Sequence, residues 1–490
     1  MRVTSFPMIR TKIIATIGPS SDSEEALSAM LDAGVDVFRQ NFSHGTLEQH
    51  ARTFDRIRSV ARRHGRQAPV MADLCGPKIR VDPIEDDGFE IAPGDRLDIV
   101  GGHVVGNAER VSTNRPELIG EVQVGHRVLI NDGFVRLRVE QVLPDRLRCV
   151  CDVGGEIATR RGVNLPDSQL AMAALTDKDR EDLAWSLEHG VDFVAMSFVR
   201  TAADLRELRE LIPLSNDQVR IVAKIETVAA IDHLDEIIES ADVILVARGD
   251  LGVEMDLARV PLLQKRIARA CQQSGKPVII ATQMLQSMID SPTATRAEVS
   301  DVANAILDAA DAVMLSAETS VGHFPVQSVR MMVRIAEQTE GYLAEGRAVT
   351  RLEGRPALPR IPTAVAQGTA LLARDLDAKL VAVWTQTGNT ARLLSKCRLP
   401  IPVIGLSPDD FVCRRMAMYF GVVPAQLARR DELLEMLRDV DTYLMENALA
   451  REGDMIVVVA GTRLHQIGST NALLIHLVGD TEAGVPEITG

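Results

Sequence analysis

The stretch RIVAKIETVAAIDHLDEIIESADVILVARGD, Arg220–Asp250, decides the fold. It opens on a short β-branched run, Arg220–Ile225, passes through a helical pattern at Thr227–Ser240, and returns to an apolar run at Asp242–Ala247. Both runs are nearly continuous rather than alternating, the pattern of parallel strands covered on both faces. Each ends in charge, at Lys224-Ile225-Glu226 and at Arg248-Gly249-Asp250.

Similar runs lie outward on both sides, at Lys12–Ile17, Val35–Arg39, Val70–Asp73 and Val191–Phe198 before it, and at Pro277–Ala281 and Ala312–Leu315 after it. Eight such strands with helices between them predict a closed (β/α)8 TIM barrel, an α/β fold. One connection breaks the rhythm. Between Arg80 and about Ser168 the chain reads as short strands punctuated by Pro93-Gly94-Asp95 and Asn131-Asp132-Gly133, an inserted β-rich domain leaving from the end of the third strand. Gly354, Pro356, Pro359 and Pro362 mark Arg347–Pro362 as a linker into a C-terminal α/β unit, with strands expected at Leu380–Thr385, Pro402–Ile404, Val422–Val423, Met455–Ala460 and Leu473–Leu477. The expected division is therefore a barrel from 1–80 and 169–346, a lid at 81–168, and a C-terminal domain at 347–490.

Composition agrees with a chain of several domains: 490 residues, 46% hydrophobic and 25% charged. A formal charge of −14 argues against a nucleic-acid partner, which needs a basic face. The six cysteines form no CxxC pair, and Cys149 and Cys151 share one strand face as ordinary apolar residues. Arg10 and Lys12 interrupt the first apolar stretch, and no run approaches the roughly 18 apolar residues of a membrane span. A reduced, cytoplasmic protein with no membrane partner is expected.

In such a barrel the site forms at the carboxyl ends of the strands. Strand two ends in Arg39-Gln40-Asn41-Phe42-Ser43-His44-Gly45, strand three in Asp73, strand seven in Thr282-Gln283 and strand eight in Ser316-Ala317-Glu318. Each group alone is an ordinary cap or rim ion pair. Their convergence costs desolvation and repulsion unless a charged ligand organises them. Glu226 and Asp250, one βα unit apart, can hold a hard divalent cation, magnesium first, with Lys224 beside it and the forked Arg39 for phosphate or carboxylate. That set suits phosphoryl transfer. Neither a G-x-x-x-x-G-K-[ST] loop nor a G-x-G-x-x-G turn is present, so a nucleotide must bind otherwise.

Thr11-Lys12-Ile13-Ile14 with Thr16-Ile17-Gly18-Pro19, Asn41–Gly45, Gly162-Val163-Asn164-Leu165-Pro166, Lys224–Glu226, Ala247–Glu254, Ala281–Leu285 and Asp301–Ala305 together resemble the signature blocks of the pyruvate kinases, from about Thr11 to Val478. The resemblance implies transfer of the phosphoryl group of phosphoenolpyruvate to ADP, the last step of glycolysis, with Mg2+ or Mn2+, in a homotetramer. Carried over, Arg39 grips the phosphate and Lys224 stabilises the group in flight. Glu226 and Asp250 hold the metal. The backbone of Ala247, Arg248, Gly249 and Asp250 and the Thr282 hydroxyl hold the substrate carboxylate. Thr282, Ser316 and Glu318 lie on the proton route to the enolate, and Thr16, Pro19, Asn41, His44, Arg80 and Arg161 contact or frame the nucleotide.

Departures carry information too. Asp73–Val81 reads DLCGPKIRV where many members read D-T-K-G-P-E-I-R-T. Potassium-dependent members hold the ion with groups matching Asn41, Ser43, Asp73 and the carbonyl of Leu74. Here Lys78 replaces their Glu, so the resemblance is to the potassium-independent, Lys-containing subgroup, and potassium is expected to be dispensable. In the C-terminal unit Thr385-Gln386-Thr387-Gly388-Asn389-Thr390, a hydroxyl-rich turn opening a helix, is an expected phosphate site for an allosteric effector. The Gly461–Asn471 loop lacks the usual Pro and Gly, which leaves that effector's identity open. Related pyruvate-binding lyases and aldolases lack the inserted domain and the Asn41–Gly45 block, and a degenerate metabolite sensor would have lost Lys224, Glu226, Asp250 or Thr282.

Overall fold

A computed structural model describes residues 9–168, 173–216, 218–345, 358–461 and 470–480. Eight parallel strands close into a barrel in chain order: Lys12–Ile17, Val37–Asn41, Val70–Asp73, Phe193–Met196, Arg220–Ile225, Val243–Ala247, Val278–Ala281 and Ala312–Leu315. Ile14, Val37, Met71, Phe193, Val222, Val243, Ile279 and Ala312 fill the inside. Their strand neighbours, such as Ile13, Ile221 and Ile244, pack outward on the helices. Burial on both faces is why the runs read as unbroken hydrophobic sequence.

The second and fourth strands start later than expected, at Val37 and Phe193, because Asp36 and Asp192 turn under the barrel instead of joining the ladder. The same happens at Asp242 and Asp311, so an aspartate precedes every even-numbered strand. Each accepts the backbone N–H of the strand before it: Ile13 to Asp36 at 2.9 Å, Val70 to Asp192 at 2.8 Å, Ile221 to Asp242 at 2.9 Å and Val278 to Asp311 at 2.8 Å. The four form a carboxylate ring closing the barrel floor, and each is paired with cations. Lys12 lies 3.6 Å from Asp36, Arg58 2.7 Å from Asp192, Arg209 2.8 Å from Asp242 and Lys396 2.5 Å from Asp311.

The expected helix Thr227–Ser240 is two, Val228–Asp232 and Leu234–Ser240, broken where His233 takes φ −104° and ψ 20°. The lid leaves after Asp73 and has its own core, including Leu97, Val128, Leu137 and Leu147. Its main sheet has seven strands, with Gly162–Asn164 paired to Ile79–Arg80 at the root. Cys149 and Cys151 are buried on one face of Arg146–Val153. Asn131, Asp132 and Gly133 turn with φ of 54°, 53° and 82°, the left-handed region in which such residues are tolerated.

The C-terminal unit has five strands, Val381–Trp384, Val403–Ser407, Val422–Gln426, Met455–Gly461 and Thr470–Leu477, the last antiparallel. Of the expected linker, 347–357 lies outside the described residues; Arg360–Pro362 instead open the helix Arg360–Asp375, with Pro359 at its N-cap. This unit docks on the barrel floor through the aspartate ring, with Arg414 Nε 2.7 Å from Asp192, and Lys396 and Arg398 on Asp311.

Candidate active site

At the opposite end of the barrel Lys224, Arg39, Asp73, Glu226 and Ser197 form one buried network. The Lys224 ammonium donates to Ser197 Oγ at 2.7 Å and lies 2.8 Å from Glu226 Oε1 and 3.3 Å from Asp73 Oδ1. Arg39 donates Nε to Asp73 Oδ2 at 2.7 Å and Nη1 to Thr16 Oγ1 at 2.9 Å. Burial alone would raise the Asp73 carboxyl, but the charges of Lys224 and Arg39 outweigh it and hold it below the usual range. Burial likewise opposes the Lys224 charge, and Asp73 and Glu226 override it, so its pKa rises. Glu226 goes the other way. Burial and the neighbouring charge of Asp250 push it up, against the pull of Lys224. The network thus holds Lys224 firmly ionised beside Glu226, whose own charge is opposed by burial and by Asp250.

The backbone around these groups is strained where it presents them. Phe198, at φ 55°, gives its N–H to Glu226 Oε2 at 2.8 Å. Thr282 and Gln283 sit at φ 69° and 54°, costly for a β-branched residue and typical of functional loops. The Thr282 hydroxyl accepts from the Gly249 N–H at 2.8 Å, and a Cβ on Gly249 would stand 3.3 Å from that oxygen. The Gly249 backbone and the Thr282 hydroxyl, expected on one substrate group, are therefore in contact. The Arg248 side chain turns away, 2.7 Å from Asp301 and 2.9 Å from the Thr282 carbonyl, which locks the two loops together. Glu318 accepts from the N–H groups of Ser316 and Leu285 at 2.7 and 3.1 Å, joining the seventh and eighth loops.

Thr16 is buried under Arg39, and Pro19 is exposed in the loop after the first strand. That loop can touch the eighth-strand loop only because residue 18 is glycine; a Cβ there would stand 2.6 Å from the Ser320 carbonyl oxygen. The His44 side chain is exposed. Arg80 and Arg161 belong to the lid, with Arg80 Nη1 on the Arg160 carbonyl at 3.1 Å and Arg161 3.8 Å from Glu156. Of the groups expected around a potassium ion, Asn41 Oδ1 accepts the Ser43 N–H at 3.1 Å and the Leu74 carbonyl accepts the Ser197 hydroxyl at 2.8 Å. The Lys78 ammonium lies 3.8 Å from Asp250 Oδ1.

In the C-terminal unit Thr385 Oγ1 accepts the Gly388 N–H at 3.0 Å, Thr387 Oγ1 that of Asn389 at 3.4 Å, and Thr390 Oγ1 meets Thr470 Oγ1 at 2.8 Å. Residues 462–469 of the Gly461–Asn471 loop lie outside the described residues.

The description "Pyruvate kinase, barrel domain" matches residues 8–329, and "Pyruvate kinase, alpha/beta domain" matches 363–476. The chain belongs to the pyruvate kinase family. It is 40% identical over 474 residues to a pyruvate kinase of Geobacillus stearothermophilus, covering 96% of this chain and 81% of that one. It is 39% identical over 477 residues to one of Mycobacterium tuberculosis, covering 96% and 99%. A crystal structure of a pyruvate kinase from Cryptosporidium parvum superposes with a TM-score of 0.89 at 35% identity, covering 96% of each chain. The chain is thus an enzyme, a phosphotransferase acting on phosphoenolpyruvate and ADP.

Pyruvate kinases generally use Mg2+, and the donor set here fits it. Among the described residues no cluster of three His, Cys, Asp or Glu side chains gathers. Mg2+ characteristically takes most of its ligands from water and substrate, so a site offering only the two carboxylates expected of it, Glu226 and Asp250, would suit that ion. No helix of the described residues is long and apolar enough to cross a membrane. Sequence reading passed over Ser197 and the Phe198 N–H. The serine follows the fourth strand, which ends at Met196 with no charged residue beside it, so the sequence there carries no signal of a polar site.

Proposed function

We propose that this pyruvate kinase transfers the phosphoryl group with Lys224 and Arg39 as its protein cations, with magnesium or manganese on Glu226 and Asp250, and without potassium. The observation that carries the reading is the Lys224 ammonium, 2.8 Å from Glu226 and 3.3 Å from Asp73, in a mouth it shares with Arg39. The bound metal supplies positive charge for the anionic oxygens of substrate and transferring group. Arg39, oriented by Asp73 and Thr16, grips the phosphate. Lys224 stabilises the phosphoryl group as its bond to the enol oxygen breaks and a bond to the terminal ADP phosphate forms. The backbone of Ala247–Asp250 and the Thr282 hydroxyl hold the carboxylate, and the enolate takes a proton at C3 by the route through Thr282, Ser316 and Glu318. Thr16, Pro19, Asn41, His44, Arg80 and Arg161 frame the nucleotide. Pyruvate formation that depends on ADP supports this; formation without ADP would favour a lyase or aldolase, and none would favour a sensor.

Independence from potassium is supported by engagement of the groups that would ligate it. Asp73 is taken by Arg39 and Lys224, the Leu74 carbonyl by Ser197, and Asn41 by Ser43. Lys and Glu with a bound ion carry one net positive charge, as Cys75 and Lys78 do. Steady-state turnover in buffer balanced with tetramethylammonium should change less than about twofold on adding potassium, and a rise of about tenfold, roughly 1.4 kcal/mol, would overturn the reading. Lys78→Glu should lose activity and regain part of it with potassium.

The enzyme is further proposed to be a cytoplasmic homotetramer with an effector phosphate on Thr385–Thr390, where Arg415 Nη1 holds the Thr387 carbonyl at 3.0 Å. At least one of fructose 1,6-bisphosphate, glucose 6-phosphate, ribose 5-phosphate and AMP should shift half-saturation by phosphoenolpyruvate. Identical kinetics with all four would leave the turn a helix cap.

A further inference from the structure

An ammonium group has three N–H donors, and those of Lys224 meet three acceptors: Ser197 Oγ at 2.7 Å, Glu226 Oε1 at 2.8 Å and Asp73 Oδ1 at 3.3 Å. Two are carboxylates with other duties. Glu226 is assigned above to the metal, and Asp73 is shared with Arg39. Ser197 is neutral, buried to 3% exposure and set in direction by distance, because the Leu74 carbonyl accepts its hydroxyl proton at 2.8 Å while the other acceptor in reach, Asp73 Oδ1, lies at 3.5 Å. That leaves its lone pairs facing Lys224. The hydroxyl is also held from behind. A Cβ on Gly76 would fall 2.9 Å from the Ser197 Cβ, so a glycine with φ 71° lets the loop press against it.

We infer that Ser197 is a positioning residue for phosphoryl transfer: it relays the rigid Leu74 carbonyl to the Lys224 ammonium and sets where that charge stands. The inference rests on the role proposed for Lys224. A hydroxyl suits the task because it fixes an ammonium without neutralising it, whereas a third carboxylate would draw the charge away from the phosphoryl group.

Two variants of the full-length enzyme separate this from packing. Ser197→Ala removes the acceptor, and Ser197→Cys keeps the volume but offers only a weak one. In both, kcat for phosphoryl transfer should fall about 10- to 100-fold, as loss of one charge-assisted hydrogen bond to a group acting in the transition state predicts, with KM changed less than about threefold. Exchange of the C3 protons of pyruvate in D2O, followed by NMR, does not need the phosphoryl group to move and should stay near wild type. Either variant retaining kcat within about twofold would overturn the role, as would equal loss of transfer and exchange, which marks a general disturbance of the site. Failure of the Lys224 role itself is read separately, from Lys224→Met.

Discussion

Lys224→Met is expected to slow phosphoryl transfer by about 10³-fold or more, roughly 4 kcal/mol of transition-state stabilisation. Methionine keeps the length and much of the volume of the side chain but carries no charge. The ammonium stands in a buried network in which Asp73 and Glu226 raise its pKa against burial, so it is fully charged at any working pH. Charge in such a place acts through a low effective dielectric, and no water can substitute for it without reorganising. Asp73 keeps Arg39 at 2.7 Å in the variant, and Glu226 keeps the Phe198 N–H at 2.8 Å, so the fold and metal binding should survive. Stopped-flow transfer and metal titration should therefore dissociate, with pyruvate C3 exchange spared. Near-normal transfer would remove Lys224 from its role.

Asp311→Ala is expected to destabilise the protein by about 3–5 kcal/mol, as breaking one partner out of a buried ion pair does. Asp311 is fully buried, accepts the Val278 N–H at 2.8 Å, and pairs with Lys396 at 2.5 Å and Arg398 at 3.5 Å. Removing it strands two cations under the barrel. Burial already lowers the Lys396 pKa to about 8, with Asp311 opposing that shift. An unfolded lysine titrates near 10.4, so between about 8 and 10.4 the unfolded chain binds more protons and this group adds stability as pH rises. Without Asp311 the folded pKa falls further and the same gain begins at lower pH. The deficit of the variant should accordingly be largest below the shifted pKa, narrow as pH approaches 8, and stay constant above it. Denaturant midpoints at pH 6.5 and 8.5 check this; a deficit under about 1 kcal/mol at pH 6.5, or one that widens with pH, would count against the pair.

Most of the barrel was legible because its signal is local. Both faces of each strand are buried, so Lys12–Ile17 or Val278–Ala281 announces itself as an apolar run. The errors fell where a side chain's partner lies on another element. Asp36 and Asp192 were read into their strands because nothing near them in sequence says that their carboxylates cap the strand before. His233 was read as mid-helix because its break is a matter of backbone angle alone.

The eight-strand order, the inserted β-rich domain, the third unit and the polar residues at the strand ends can all be read along the chain. These follow from hydrophobic period, turn residues and the rule that barrel chemistry gathers at the carboxyl ends. Which of those groups touch is settled by the closed barrel. It set Lys78 beside Asp250, held Lys224 with a serine 27 residues away, and brought Lys396 of the C-terminal unit to Asp311, 85 residues distant, in a buried pair. The reason is geometric: closing the barrel brings residues far apart in the chain to within hydrogen-bond reach, and a bond of that range leaves no periodicity in the sequence.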